Sequence, residues 1–372
     1  MDKIDVAIIG AGVEGLAIAA AVTEFAPETY IFERNNTFGQ ETSSRNSEVL
    51  HYARVYYQPG SLKARLCSAG INQVYSFPQR LVPHKKVGKL IVATDHLGIP
   101  KLESLLKVGL ENGASSLRMI DEKEISILEP NINAVAAIYS PDTGIIDSHR
   151  LMEYFLRLTK HNLGVNPVAY CTEVIGIEKV KSEPGFRVVF KQREEEQSVI
   201  AKVVVNAAGL GSERIAQIAG IDTKVAGYEM EFWKGEYFSV SAKHTGKTRH
   251  LIYPIPEGVG LGIHSTLDMS GHMRLGPNAF RVDSINYSVD ESKKQEFYEA
   301  ARKALPFLNS EDLQPYMSGI RPRTKIGDFI IREESERGLP GMINLIGIDS
   351  PGLTASLAIG NMVGEMVRDC LK

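Results

Sequence analysis

The chain has 372 residues, 43% of them hydrophobic and 23% charged, with a formal net charge of −3. That length exceeds one small core and implies about two domains of common size, and the composition excludes a disordered or fibrous class. The near-neutral charge excludes a field strong enough to gather nucleic acid or an anionic membrane surface.

The opening segment "DVAIIGAGVEGLAIAAAV" reads as a buried strand, a turn at Gly10, Gly12 and Gly15, and an Ala-rich helix. Gly10 permits the tight turn, Gly12 lets backbone N–H groups approach a pyrophosphate, and Gly15 with Ala19 lets helix and strand pack closely. The helix N-terminus adds partial positive charge for phosphates. A second strand, "ETYIFERN", delivers Glu33, with Arg34 beside it, where a carboxylate hydrogen-bonds ribose hydroxyls. The polar loop that follows carries Thr42, Ser43, Ser44, Arg45 and Asn46, which suit contact with a ligand longer than its pyrophosphate; the plain alternative is a cap and turn.

Next comes "EVLHYARVYYQPGSLKARL", with His51, Arg54, Tyr57 and Lys63. From there the order alternates helix and strand to about Leu163, turns strand-rich from Val168 to Val205, and is then mixed. That order suits a nucleotide domain interrupted by a second, sheet-rich one. Gln192 to Val199 read as a solvated hairpin tip. "AKVVVNAAGLGSERIA" runs a buried strand into Ala207, Ala208 and Gly209, small residues that permit close backbone approach. "GMINLIGIDSPGLTASLAIGNMVGEMV" is a strand, a turn holding Gly347, Ser350 and Gly352, and a long helix beginning near Leu353 or Thr354, with Ser350 or Thr354 as its cap. Asp147 suits the cap of the helix after it.

The three cysteines, Cys67, Cys171 and Cys370, show no metal-ligand spacing, so no metal is expected and a reducing compartment fits best. No apolar run reaches the roughly 18 residues needed to cross a bilayer, and no leader precedes the first strand, so a cytoplasmic protein is expected, with peripheral membrane contact left open.

The polar loop resembles that of the D-amino-acid-oxidase-like superfamily of FAD enzymes. Taken in order, "SSRNSEVLH", "YYQPGSLKARLC", "GKLIVAT", "PDTGIIDSHRL", "LIYPIP", "GLGIH", "LGPNA" and "GIRP" resemble the L-2-hydroxyglutarate dehydrogenase/oxidase family over nearly the whole chain. The resemblance implies an α/β (α+β overall) fold: a Rossmann-like FAD-binding domain of residues 1–82, 140–222 and 318–372, and a discontinuous, sheet-rich substrate domain of residues 83–139 and 223–317. It implies FAD as cofactor, with Ala207, Ala208 and Gly209 beside it and the helix at Leu353 and Thr354 aimed at the flavin. It further implies oxidation of an L-2-hydroxy acid to the 2-oxo acid, hydride passing to flavin N5 and electrons leaving to oxygen, a quinone or another acceptor.

Such a reaction needs a base for the hydroxyl proton, and histidine titrates in the useful range. His264 is favoured as the base and His51 as the flavin-side or substrate-orienting group, with the reverse left open. Arg321 in "SGIRP" is placed on the substrate carboxylate. A second carboxylate would call on Lys63, Arg65, Arg54 or a tyrosine hydroxyl, Tyr57 among the candidates, and Tyr253 suits the pocket wall. Where the family has H-x-G-x-Y-Y, this chain has His51-Tyr52-Ala53-Arg54-Val55-Tyr56-Tyr57, with no glycine and one extra residue, and "IRPRTKIGDF" is shorter than its counterpart. The alternatives are an amino-acid or glycine oxidase, a glycerol-3-phosphate dehydrogenase, a flavin-binding protein without turnover, and an NAD-dependent dehydrogenase.

Overall fold

The computed structural model describes residues 2–52, 54–256 and 261–372, the side chain of Arg54 excepted. Two large sheets organise them. The first has eight strands, and its centre is parallel: Leu339–Ile346, Glu195–Asn206, Lys3–Ile9, Thr29–Phe32 and Val168–Ala169 lie side by side in that order. Their near-continuous apolar runs are those of strands covered on both faces. The helices Val13–Val22, Ser148–Leu163 and Gly352–Cys370 supply one cover, built from Leu16, Ile18, Leu151, Phe155, Ile359 and Val363, all fully buried. Asp147 caps the Ser148–Leu163 helix by accepting from the Arg150 N–H, as its spacing suggests.

The hairpin of Phe186–Gln192 and Glu195–Asn206 extends that sheet. Its tip is shorter than the charge run implies. Only Arg193 and Glu194 turn, both at positive φ, while Glu195 and Glu196 already pair with Gln192 and Lys191 across the ladder. The charges are solvated there as strand residues of an exposed ribbon, since a two-residue turn is enough to reverse an antiparallel pair.

The second sheet has nine strands. Met230–Val240 pairs along its length with Leu313–Thr324, and Leu251–Pro254 lies parallel to Lys89–Ala93. It closes over a separate core of Leu90, Ile91, Val92, Ile138, Phe238, Tyr253 and Phe297. Two close approaches join the sheets at the site. Gly319, on Leu313–Thr324, lies so near the polar loop of the first layer that a Cβ there would sit 2.0 Å from the Arg45 carbonyl oxygen. Thr42 Oγ1 donates to the Ile320 carbonyl at 2.9 Å, so the same loop is tied to the same strand beside Arg321. No helix of the described residues is long and apolar enough to cross a membrane.

Candidate active site

A cavity of about 810 Å³ runs between the two layers. At one end it is lined by Gly10, Gly12, Val13, Glu33, Arg34, Thr42, Ser43, Arg45, Asn46 and the Ala207–Gly209 turn, and at the other by His51, Tyr56, Tyr57, Tyr253, His264 and Arg321.

The first end is built by backbone. Gly10 has φ +103, and a Cβ there would meet the Ala207 carbonyl oxygen at 2.6 Å, so the turn and the Ala207 strand end touch through main chain alone. Gly15 serves packing one layer below, where its Cβ would strike the Gly10 carbonyl at 2.0 Å. Glu33 is buried, accepting from Ala11 N and Asn35 N at 2.8 Å each, which fixes the carboxylate at the cavity edge. Ser43 Oγ accepts from Val13 N at 3.0 Å, holding the polar loop against the first turn of the Val13–Val22 helix. Arg34 is paired with Glu41 at 2.9 Å, and the Arg45 guanidinium stacks over Tyr287 at 4.0 Å. Three residues of the expected set lie off the lining: Gly15, whose role is the packing just described, Ser44, which donates to the Gly39 carbonyl, and Gly347, which packs against Thr324. The cap expectation is also corrected. The residue before the Gly352–Cys370 helix is Pro351, with no side-chain cap bond. Thr354 Oγ1 instead accepts from His51 N at 3.0 Å, and Ser350 Oγ meets His51 Nε2 at 3.3 Å. Both residues thus anchor the histidine rather than the helix end.

The second end is built by side chains. His264 stacks on Tyr253, ring centroids 3.8 Å apart and 21° from parallel. Its Nδ1 lies 2.7 Å from the Gly262 carbonyl oxygen; only an N–H can donate there, so Nε2 carries the lone pair. Burial pushes His264 from 6.5 to about 3 against the opposing pull of the Gly262 carbonyl, with the Lys89 and Arg321 charges assisting. Burial likewise takes His51 to about 3, helped by Lys89, His264 and Arg321. Both histidines are therefore neutral near pH 7, the state in which imidazole accepts a proton. Burial also pushes the hydroxyls of Tyr57 and Tyr253 well above 10, keeping them protonated donors. Arg321 sits on the Leu313–Thr324 strand, lining the cavity, and among the described residues it makes no ion pair, whereas Arg323 reaches Asp349 at 3.6 Å.

Lys63 lies elsewhere in this scheme than its position in sequence suggests. Its ammonium is 2.6 Å from the Asp349 carboxylate, both side chains under 10% exposed, so its charge is already matched within the protein. The Arg54 side chain lies outside the described residues.

Four residues of consequence carry no motif that singles them out. Glu14, on the cavity wall in the first turn of the first helix, has both carboxyl oxygens buried without a partner, and burial raises it from 4.5 to about 8. Asp349 and Gly319 stand inside the quoted turn and "SGIRP" segments. Lys89 heads a fully buried strand in "GKLIVAT", and a lysine opening an apolar run is the one signal that was visible.

Residues 5–366 match the DAO family model, described as FAD dependent oxidoreductase. The chain is 36% identical over 404 residues to the mitochondrial L-2-hydroxyglutarate dehydrogenase of Arabidopsis thaliana, covering 98% of this chain and 83% of the relative. It is 30% identical over 376 residues to a glycerol 3-phosphate dehydrogenase of Caloramator mitchellensis, covering 99% and 74%. Among solved structures it is similar to the L-alpha-glycerophosphate oxidase of Mycoplasma pneumoniae with FAD bound, TM-score 0.87 at 24% identity, covering 99% of this chain and 95% of the other.

Proposed function

The chain belongs to the FAD dependent oxidoreductase family, and on that premise we propose that it oxidises an L-2-hydroxy acid, L-2-hydroxyglutarate foremost, to the 2-oxo acid. The cavity fits the cofactor on its own evidence: a glycine turn that a Cβ would close, a helix N-terminus facing the space, and a fixed Glu33 carboxylate at its edge. Gly10, Gly12, Glu33, Ser43, Ala207 and Ala208 would hold the nucleotide, and Leu353 and Thr354 the far end. When bound, FAD supplies the hydride acceptor.

The chain's residues supply the rest. Arg321, without an ion pair among the described residues, takes the substrate carboxylate. His264 takes the hydroxyl proton at Nε2, because the Gly262 carbonyl holds the other nitrogen as a donor. Tyr253 fixes the plane of that imidazole by stacking on it, and His51, anchored through its backbone to Thr354 and through Nε2 to Ser350, orients substrate. As the proton arrives, the imidazolium is stabilised by the incoming carboxylate, which offsets the Lys89 and Arg321 charges that add to burial in keeping the free ring neutral. The observation that carries this reading is the pairing of a cavity-facing guanidinium without an internal partner with a neutral, tautomer-fixed imidazole.

The electrons leave to oxygen, a quinone or another acceptor, and the wide spacing of Cys67, Cys171 and Cys370 suits a reducing compartment. We also assign the parallel first sheet to the cofactor and the second sheet to substrate, with the Gly319–Arg45 approach as the seam between them. The test is His264→Ala and Arg321→Met in single-turnover flavin reduction. The histidine variant should lower the limiting rate at least about 100-fold with little change in substrate affinity, and the arginine variant should weaken affinity at least about 100-fold. Unchanged reduction by His264→Ala moves the base to His51, and unchanged affinity in Arg321→Met removes the carboxylate assignment.

A further inference from the structure

Lys89 begins the Lys89–Ala93 strand, all five residues of which are buried, and it is itself 0% exposed. Its ammonium has no hydrogen-bond partner among the described residues. It lies over two ring faces instead, 4.9 Å from the Tyr56 centroid and 4.7 Å from that of Tyr253. The hydroxyls of those two tyrosines are also buried and without partners, as is Nδ1 of His51. Tyr56, Tyr253 and His51 line the cavity, and Lys89 stands behind the two tyrosine rings in its wall. Interior polar groups are normally satisfied. Among the described residues the polar groups around this ammonium and these two phenols are His51, His264, Arg321, Tyr237, Tyr57 and the Cys67 thiol, and the carboxylate that acts on Tyr57, Asp349, is already paired with Lys63. The cluster is short of one acceptor-rich anion. Lys63, one of the cations that sequence order offers for this wall, is matched by Asp349 and is not available for it.

We propose that the Tyr56 and Tyr253 hydroxyls, polarised by Lys89 behind their rings, receive the second carboxylate of a dicarboxylic substrate whose first carboxylate meets Arg321. The inference rests on the 2-hydroxy acid reading and adds which residues select a diacid. A cation on the face of a phenol withdraws charge from the ring and makes its O–H a stronger donor, so Lys89 is a positioning residue that acts through the tyrosines. Burial has lowered Lys89 from 10.5 to about 7, with the Cys67 thiol opposing the shift. A bound carboxylate favours the charged ammonium, so diacid binding above that pH takes up a proton and weakens by up to about tenfold per pH unit. The two histidines, at about 3, and the tyrosines, held well above 10, titrate outside this window.

The test uses the FAD-loaded protein and reads the flavin absorbance change on titration with glutarate and with butyrate, which carry two carboxylates and one. Wild type should bind glutarate at least about tenfold more tightly at pH 6.5, and the preference should shrink toward pH 8.5. Lys89→Met should abolish most of that preference and its pH dependence while leaving butyrate binding within about threefold. Tyr253→Phe, which keeps the ring and removes only the hydroxyl, should reduce the preference in the same direction. No glutarate preference in wild type, a preference that survives in both variants, or equal losses for the two acids overturns the proposal. Failure of the underlying reading shows separately, as a wild-type flavin that no L-2-hydroxy acid reduces.

Discussion

Removing Asp349 should cost far more than removing Lys63, although the two form one ion pair. Their side chains are 7% and 9% exposed and 2.6 Å apart. Asp349→Asn keeps the shape but leaves the Lys63 ammonium buried with only an amide oxygen to meet it and Phe329 5.4 Å away. Breaking a buried pair on one side costs about 3–5 kcal/mol, and the retained amide places this variant near the low end, about 3 kcal/mol. Lys63→Met leaves Asp349 with Arg323 at 3.6 Å, so the carboxylate keeps a cation and the cost falls to about 1–2 kcal/mol. At roughly 2.1 cal/mol/K per residue the melting entropy is about 0.8 kcal/mol/K, so the midpoints should fall by about 4 °C and about 2 °C. Thermal unfolding of the flavin-free protein is the assay, because cofactor binding would otherwise add its own stabilisation. Asp349→Asn within about 0.5 kcal/mol of wild type, or Lys63→Met the more damaging, refutes the reasoning.

Two further outcomes follow from the same geometry. Gly319→Ala places a Cβ 2.0 Å from a backbone oxygen that cannot rotate away, so the Arg45 loop must shift. The cost is about 3 kcal/mol, seen in thermal unfolding, and the variant should lose its flavin on gel filtration; a stable, flavin-retaining variant contradicts the close approach. Glu14, raised to about 8 by burial, binds a proton in the folded state that the unfolded chain releases above 4.5. Its contribution is full below pH 4.5 and is lost as pH rises through 8. Glu14→Gln should therefore match wild type near pH 4 and become progressively more stable than it up to pH 8 in flavin-free unfolding; a constant difference across that range contradicts the burial of its carboxyl.

The sequence carried the nucleotide end of the site well because that end is made of local chemistry. A strand, a glycine turn and a helix follow one another, and Glu33 arrives on the next parallel strand, so spacing along the chain translates directly into proximity. His264, Arg321 and Tyr253 were reachable through the order of short segments, although the His264–Tyr253 stack was not. What escaped depends on contacts between distant strands. Asp349 claims Lys63 across 286 positions, which no local pattern encodes, and Thr354 holds His51 where it reads as a helix cap. Lys89 looks like a strand-end lysine that would reach solvent, yet it is fully buried with the rings of Tyr56 and Tyr253 against its ammonium. The hairpin tip is shorter than its charge run because Glu195 and Glu196 are exposed at the end of the ladder, where water solvates a strand residue's charge as readily as a turn's.

Anaerobic titration of the purified flavoprotein with L- and D-2-hydroxyglutarate, glycine and glycerol 3-phosphate, followed by the flavin absorbance, tests the central claim directly. The account predicts full bleaching by one equivalent of the L-2-hydroxy acid, with 2-oxoglutarate formed in equal amount, and none by the D enantiomer. Bleaching by glycine or glycerol 3-phosphate while L-2-hydroxyglutarate leaves the flavin oxidised would contradict it.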